Sequence, residues 1–578
     1  MGVTNDGLSY WQAETAAEPL LEMTIGDLLD RRAAEIPQQE AVVYSCYPEF
    51  GGALDIRWTY QEYRERADQV ARGLLALGLN KGDHIAVWAG NLPEWLLLQM
   101  AAAKTGVILV TVNPAFRAQE VEYVLKQGDV SALFFMERIR DHDCLATVRS
   151  LVTPGARNGE VSSDRLPMLR YVCLLGPTSL MGAGEQGWSP ALFPEMLAGG
   201  EAIDADVLRE RQASVGPQDA AQIQYTSGTT GFPKGAVLSH RSILNNVVLY
   251  AQRQGSLRSD RLCSPMPFFH TGGCVLAVLG ALYAGSTILP MLAFDPRKAL
   301  QIISSEHCTT FGAVPTMLLA MLLQPDFDTY DLSELRLVTC GGAPVPVHVM
   351  EQVKERMGAD VCIVFGQTET SPIITQTLPG DSFELKSATV GLPLPYTDVK
   401  IINPASGAVV PCGERGELCC RGYLLMQGYY KMPEKTAETI DSEGWLHTGD
   451  LATMNERGYV NIVGRLKEMI IRGGENIYPT QIEQFLIRHP QVADVQVLGV
   501  PDTFFGEEIL AVVRPKEGVQ LTEQDLRAFC QGAISHQKVP RYFLFVEAYP
   551  MTASGKVQKF ALRQYAVKTL RLEETTTG

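Results

Sequence analysis

The sequence is most informative at first through what it has little of. Its twelve cysteines are scattered, no Cys-x-x-Cys occurs, and Cys419–Cys420 is the one close pair. In a chain of 578 residues that spacing excludes a disulfide framework and a cysteine-built zinc site, and it fits free thiols in a reducing compartment. Basic residues are outnumbered, 49 against 65 acidic, for a net charge of -16. So acidic a surface disfavours nucleic acid and anionic membranes as partners, and any site for a polyanion must be local. The start, "MGVTNDGLSYWQAE", lacks the basic and apolar regions of a secretory signal. It opens with Met-Gly, but Asp6 stands where a myristoylation motif wants Ser or Thr. One uncharged run, Thr271 to Phe294, has the length of a membrane span. Gly285-Ser286 interrupts it and Pro290 follows, so a buried helix followed by a buried strand is predicted instead. These absences predict a cytoplasmic protein. Hydrophobic residues at 46% and charged residues at 20% are ample for globular cores, and the length predicts several units.

What is present alternates between helix and strand. "TYQEYRERADQVARGLLALGL" opens on a capping box, Thr59 with Glu62, and carries Tyr63, Ala67, Val70 and Leu74 at helical spacing. "DHIAVWAG" and "VILVTVN" read as strands on either side of the helix "LPEWLLLQMAAAKTG". Apolar strands between helices predict a parallel α/β sheet. The segment Gly155 to Gly200, rich in Gly, Ser and Pro, is predicted to be a surface excursion. From about Arg472 the pattern changes. A helix in "PTQIEQFLIRHP", strands in "DVQVLGVP" and "EILAVVRP", a helix capped by Thr522 with Asp525, and a strand in "YFLFVEAYP" predict a small separate α+β domain.

The stretch "YTSGTTGFPKG", Tyr225 to Gly235, is poor material for a core. Its glycines let backbone N–H groups approach a ligand closely. Thr226, Ser227, Thr229 and Thr230 add hydroxyls, and Lys234 adds a point charge. Together they suit a polyphosphate. The ordinary P-loop is excluded, because Gly228 and Gly231 are too close together and Lys234 precedes Gly235. A surface turn before the strand "GAVLSH" is the plainer alternative. "FGQTETSP", Phe365 to Pro372, places a ring, a hydroxyl and a carboxylate in one short turn. "CGGAPVP", Cys340 to Pro346, is a second glycine-rich turn after a strand. "GWLHTGD" ends on Asp450, "GRLKEMIIRGGENIYP" follows, and "PMTASGKVQK" projects Lys556 from a Ser-Gly turn. Taken singly, each of these is as compatible with a turn or a solvated charge as with a site.

In their order along the chain, and over nearly its whole length, the stretches resemble the acyl-adenylate-forming enzymes: acyl- and aryl-CoA synthetases, peptide-synthetase adenylation domains and beetle luciferases. The resemblance implies an α/β fold with a large N-terminal domain of several α/β subdomains, residues 1–466, and a small mobile α+β lid domain, residues 467–578. It implies that Thr226, Ser227, Gly228, Thr229, Thr230, Gly231 and Lys234 hold the phosphates of ATP. It places Phe365, Gly366 and Gln367 against the nucleotide, Thr368 on phosphate and Glu369 on Mg²⁺. A hard cation bridging phosphate oxygens requires such an oxygen ligand. Many relatives carry Tyr where this chain has Phe365. Gly342, Ala343 and Pro344 are placed beside adenine, and Gly341, Val314, Thr316 and His270 beside the acyl group. Asp450 is implied to accept from the ribose hydroxyls, as an acceptor-only carboxylate can. Arg465 is implied to contact nucleotide, Lys467 to be the interdomain hinge, Gly473 and Gly474 to line the thiol tunnel, and Lys556 to be the catalytic lysine. Relatives often end this last motif with Arg, where this chain has Lys559.

The implied reaction has two halves. A carboxylate attacks the α-phosphorus of ATP, giving acyl-AMP and pyrophosphate. A thiol then attacks the activated carbonyl and AMP leaves. Two anions meet in the first half, so Mg²⁺, the loop amides, Lys234 and Lys556 are expected to offset charge in the transition state. Coenzyme A is the expected acceptor. "VTVNPAFRAQEVEYVLKQ" and "RLVTCGGAPVP" look most like ligases for medium-chain fatty acids. No Asp lies between Ser264 and Pro290 to grip an amino group, which weakens amino-acid activation. Loading of a carrier protein, and ligation of short, branched, hydroxylated or aromatic acids, stay open, as do a nucleotide sensor and a homodimer.

Overall fold

The computed structural model describes residues 7–14, 18–50, 52–176, 190–226, 233–343, 345–472, 475–531, 533–551 and 557–572. The chain divides into two compact units. One comprises Ala13–Asp398 with Arg421–Leu446; the other comprises Met1–Gln12, Val399–Cys420 and His447–Gly578.

The first unit is built on two sheets. Among the described residues one has nine strands and the other eight. The eight-stranded sheet contains the predicted strands His84–Trp88 and Ile108–Thr111, parallel to each other and separated by the helix Pro93–Thr105. That helix starts with Pro93 at its first turn and stops at Gly106, whose φ of 69° is one a glycine adopts without strain. Lys104 is the basic residue of this largely apolar helix. It is buried and answered by Asp30 at 2.5 Å and Asp68 at 2.6 Å, the pairing that a charge out of water requires. Thr59 and Glu62 form the expected capping box of the helix Tyr60–Ala76, which buries Tyr63, Ala67, Val70 and Leu74.

The nine-stranded sheet has a parallel centre. Arg261–Ser264, Thr310–Ala313, Leu337–Gly341 and Asp360–Gly366 lie side by side in that order. The uncharged run forms a π-helical segment, Gly272–Leu279, an α-helical turn, Gly280–Ala284, and a buried strand, Thr287–Pro290. Among the described residues no helix is long and apolar enough to cross a membrane.

The expected excursion at Gly155–Gly200 needs correction. Tyr171–Leu175 is a largely buried strand, parallel to Val130–Met136 in the eight-stranded sheet. A five-residue apolar run between turn-forming stretches is too short to show a period, and the long-range pairing supplies what local pattern cannot.

The second unit holds two five-stranded sheets among the described residues. One pairs Leu446–Met454 with Val460–Arg465. The other is organised on the long hairpin Val492–Asp502 and Gly506–Pro515, with Tyr542–Phe545 added in parallel. The helices Pro479–Leu486 and Glu523–Cys530 complete the predicted α+β pattern. A further helix, Lys559–Leu570, buries only Leu562 and Ala566, too weak an apolar stripe to be legible in the sequence.

Candidate active site

The phosphate-loop candidate connects two antiparallel strands, Ala220–Thr226 and Lys234–Ser239. Thr226 and Lys234 face each other across the hairpin, and the Thr226 hydroxyl donates to the Lys234 carbonyl at 3.4 Å. Ser227, Gly228, Thr229, Thr230 and Gly231 lie outside the described residues. The strand beginning at Lys234 pairs on its other side with Gly428–Tyr429.

That pairing brings in a residue that lies outside every motif of the sequence. Tyr429 is buried, 5% exposed, and its ring lies under the Lys234 ammonium at 4.0 Å from the centroid. Its hydroxyl donates to Glu369 Oε1 at 2.7 Å. Burial, and then the Glu369 carboxylate, push the phenol well above its ordinary pKa, so Tyr429 stays a proton donor. One side chain therefore positions both the lysine at the end of the phosphate loop and the candidate metal-binding carboxylate. Lying 60 residues from Glu369 and 195 from Lys234, it sits in none of the stretches that marked the site.

Glu369 is half-buried in a 3₁₀ turn, Thr368–Thr370, directly after the strand Asp360–Gly366. Thr370 closes the turn: its hydroxyl accepts from the Gln367 N–H at 3.2 Å and donates to the Pro372 carbonyl at 2.8 Å. The Glu369 carbonyl accepts from the Met426 N–H at 2.9 Å. Gly366 is obligatory here, because a Cβ would fall 1.9 Å from the Pro372 carbonyl oxygen. With Oε1 held by Tyr429, whose ring also carries Lys234, Glu369 presents an oriented carboxylate, a donor that fits a hard divalent cation carrying phosphate.

The other first-unit candidates gather along one edge of the nine-stranded sheet. Four neighbouring parallel strands end there in the segments holding His270, then Val314 and Thr316, then Gly341 to Ala343, then Phe365 to Glu369. The carboxyl ends of parallel strands are where an open α/β sheet binds ligands. Gly341 packs against the next strand so closely that a Cβ would sit 2.6 Å from the Val364 carbonyl oxygen. Gly342, at φ 79°, makes the turn and is exposed, as is Ala343; Pro344 lies outside the described residues. Val314 is buried and Thr316 exposed at the start of the helix Pro315–Leu322. His270 Nδ1 accepts from the Gly272 N–H at 3.0 Å, which puts the ring proton of the neutral form on Nε2. Phe365, Gly366, Gln367 and Thr368 are all half-buried.

In the second unit Asp450 is 5% exposed and directly opposite Arg465 in the strand pair. Arg465 Nε donates to Asp450 Oδ1 at 2.9 Å. The buried carboxylate is thus oriented by a guanidinium that is itself half in solvent. Lys467 is exposed on the 3₁₀ turn Leu466–Glu468 that follows. Its neighbour Glu468 accepts from Lys559 Nζ at 2.8 Å, and Glu483 accepts from the same nitrogen at 3.2 Å. The lysine that stands in place of arginine is therefore the centre of a half-buried ion triad. Gly473, Gly474 and Lys556 lie outside the described residues.

Residues 29–430 match the family described as AMP-binding enzyme, and residues 481–556 match the AMP-binding enzyme C-terminal domain. The chain belongs to the AMP-binding enzymes. YngI of Bacillus subtilis (strain 168), assigned by name to the acyl-CoA synthetases, is 45% identical over 96% of this chain and 99% of its own. The human medium-chain acyl-CoA ligase ACSF2, mitochondrial, is 39% identical over 98% of this chain and 91% of its own. The anthranilate CoA ligase AuaEII, solved with anthranoyl-AMP, is 26% identical and superposes with a TM-score of 0.81 over 96% of this chain and 99% of that one. This AMP-binding enzyme thus has the α/β architecture, with large and small domains, that the sequence predicted.

Proposed function

We propose that this protein is an AMP-forming acid–CoA ligase and that its acid is a medium-chain fatty acid. The observation that carries the reading is Tyr429 bridging Lys234 and Glu369, within a chain 39% identical along almost its whole length to a ligase named for that acid.

In the first half-reaction the acid's carboxylate attacks the α-phosphorus of ATP and pyrophosphate leaves. Lys234, held over the Tyr429 ring, brings positive charge to the phosphates. Glu369, fixed through Oε1, would hold Mg²⁺ on the nucleotide; the ion offsets phosphate charge when bound. Asp450, buried and aligned by Arg465, accepts from the ribose hydroxyls. Lys556 adds charge where the transition state gains it, so Lys556→Ala lowers single-turnover acyl-AMP formation about 10²–10³-fold. Formation at the wild-type rate would remove Lys556 from that role.

In the second half-reaction a thiol takes the acyl group and AMP leaves. The segment from Lys467 onward acts as a mobile lid domain, with Lys467 as the pivot and Gly473–Gly474 serving the thiol. The support is local: Lys559 donates to both Glu468 and Glu483, which ties the residue after Lys467 to the segment that follows it.

The test is release of pyrophosphate and AMP with ATP and Mg²⁺ over acids from acetate to palmitate, with benzoate, a hydroxy acid and leucine, each with and without CoA. CoA-dependent AMP turnover peaking at about eight to twelve carbons is expected, since each methylene contributes about 1–3 kcal/mol of selectivity. A peak elsewhere reassigns the acid. Pyrophosphate exchange without CoA-dependent turnover replaces CoA by a carrier protein.

A further inference from the structure

The cysteine spacing argues against a zinc site, yet the fold assembles mixed donors that spacing cannot reveal. Glu417 and Cys419 are two apart on the strand Gly416–Gly422 and so share a face. The neighbouring strand Leu446–Met454 brings up His447. His447 Nδ1 lies 3.0 Å from Glu417 Oε2 and 3.5 Å from Cys419 Sγ. One donor atom from each of the three falls within 4.8 Å of the others. Cys419 is fully buried and Glu417 nearly so, while the His447 side chain is 31% exposed and reaches solvent.

We infer that Glu417, Cys419 and His447 form a binding site for one borderline divalent ion of the zinc class. In a tetrahedral zinc site, metal–sulfur distances of about 2.3 Å and metal–nitrogen or metal–oxygen distances of about 2.0–2.2 Å place the donor atoms about 3.3–3.6 Å apart. The His447–Cys419 separation is already there. The His447–Glu417 separation opens by a few tenths of an ångström when an ion replaces the hydrogen bond. A sulfur, a nitrogen and an oxygen donor together select against Mg²⁺ and Ca²⁺. The outer support is present as well. Glu417 Oε1 accepts from the Gly449 N–H at 3.1 Å, and the Thr448 hydroxyl donates to the Leu418 carbonyl at 2.7 Å, clamping the two strands. On binding, the Cys419 thiol releases its proton to solvent, His447 coordinates through Nδ1 with its proton on Nε2, and water takes the fourth position.

Occupancy reaches the nucleotide through Gly449, the residue before Asp450. This consequence rests on Asp450 as the ribose acceptor; the site itself does not.

The experiment is a Co²⁺ titration of the full-length, chelator-treated protein, followed by absorption. One equivalent should give a near-ultraviolet thiolate-to-cobalt band and the visible bands of a four-coordinate ion, both displaced by Zn²⁺. Cys419→Ser should lose the near-ultraviolet band, and His447→Asn, which keeps the buried thiol, should lose stoichiometric binding. Circular dichroism checks that each variant is folded. The half-buried Cys46 and Cys412, unchanged throughout, control for other thiols. No band in the wild type, or the same band in both variants, overturns the site. One equivalent of Zn²⁺ should raise KM for ATP in the wild type and leave Cys419→Ser unaffected. Stoichiometric Co²⁺ binding with an unchanged KM keeps the site and overturns the coupling to nucleotide.

Discussion

Tyr429→Phe is the sharpest test of the site. The substitution keeps the ring under Lys234 and removes one oxygen, the donor to Glu369 Oε1 at 2.7 Å. A hydrogen bond to a charged acceptor contributes about 1.5–3 kcal/mol. An outer partner of a metal-binding carboxylate typically matters about 10–100-fold in metal affinity or activity, or about 1.4–2.7 kcal/mol. Glu369 is half-buried, so water can replace part of the lost bond and the effect belongs at the lower end. The expected result is an apparent Mg²⁺ requirement for acyl-AMP formation raised about tenfold, with the rate partly restored at saturating Mg²⁺. Tyr429→Leu removes the ring as well and should lose a further factor of two to five that Mg²⁺ does not restore, from about 0.5–1 kcal/mol of cation–π attraction. The assay is single-turnover pyrophosphate release over a Mg²⁺ series at fixed ATP. A Tyr429→Phe curve superimposing on wild type would refute the claim that this hydroxyl positions Glu369.

Three further outcomes are expected. Lys559→Met leaves the partly buried Glu468 and Glu483 without their cation and should destabilise the small domain by about 1–3 kcal/mol, whereas Lys559→Arg restores the pairs; thermal melting and limited proteolysis read the difference. Lys467→Pro fixes a backbone angle in the turn Leu466–Glu468, so on the proposed hinge thioester formation should fall while acyl-AMP formation persists, and equal loss of both halves would count against a pivot there. His240 is fully buried, accepts from the Ile25 N–H at 3.3 Å, and is held by burial at a pKa of about 4 against an ordinary 6.5. The unfolded chain takes up that proton first as pH falls, so about 3 kcal/mol of stability present above pH 6.5 is lost by pH 4. Unfolding followed across that window should show a shallower pH slope in His240→Gln, and an identical slope would remove His240 as the cause.

Much of this protein is determined locally and is legible in the chain. Thr59 with Glu62 and Thr522 with Asp525 close their capping boxes with neighbours three residues away, so no tertiary contact is needed to read them. The glycine-rich stretches are legible for a related reason. Gly366 and Gly342 meet backbone constraints that other residues cannot, and the sequence must keep glycine there. The family, the α/β class and the order of the site segments follow from such runs.

What only the tertiary structure decided lies in contacts between distant strands. Tyr171–Leu175 is a core strand because Ala132–Met136 pairs with it, while its own five residues carry no periodicity. Lys559 reads as a solvated lysine until Glu468 and Glu483 fold around it. Tyr429 joins Lys234 and Glu369, and His447 meets Glu417 and Cys419, across sheet pairings that bring together residues tens to hundreds of positions apart. Side-chain chemistry at a site depends on distances of about 3 Å, within hydrogen-bonding reach. A sequence fixes such distances locally only within a turn or a cap; everywhere else they are set by which strands the fold makes neighbours.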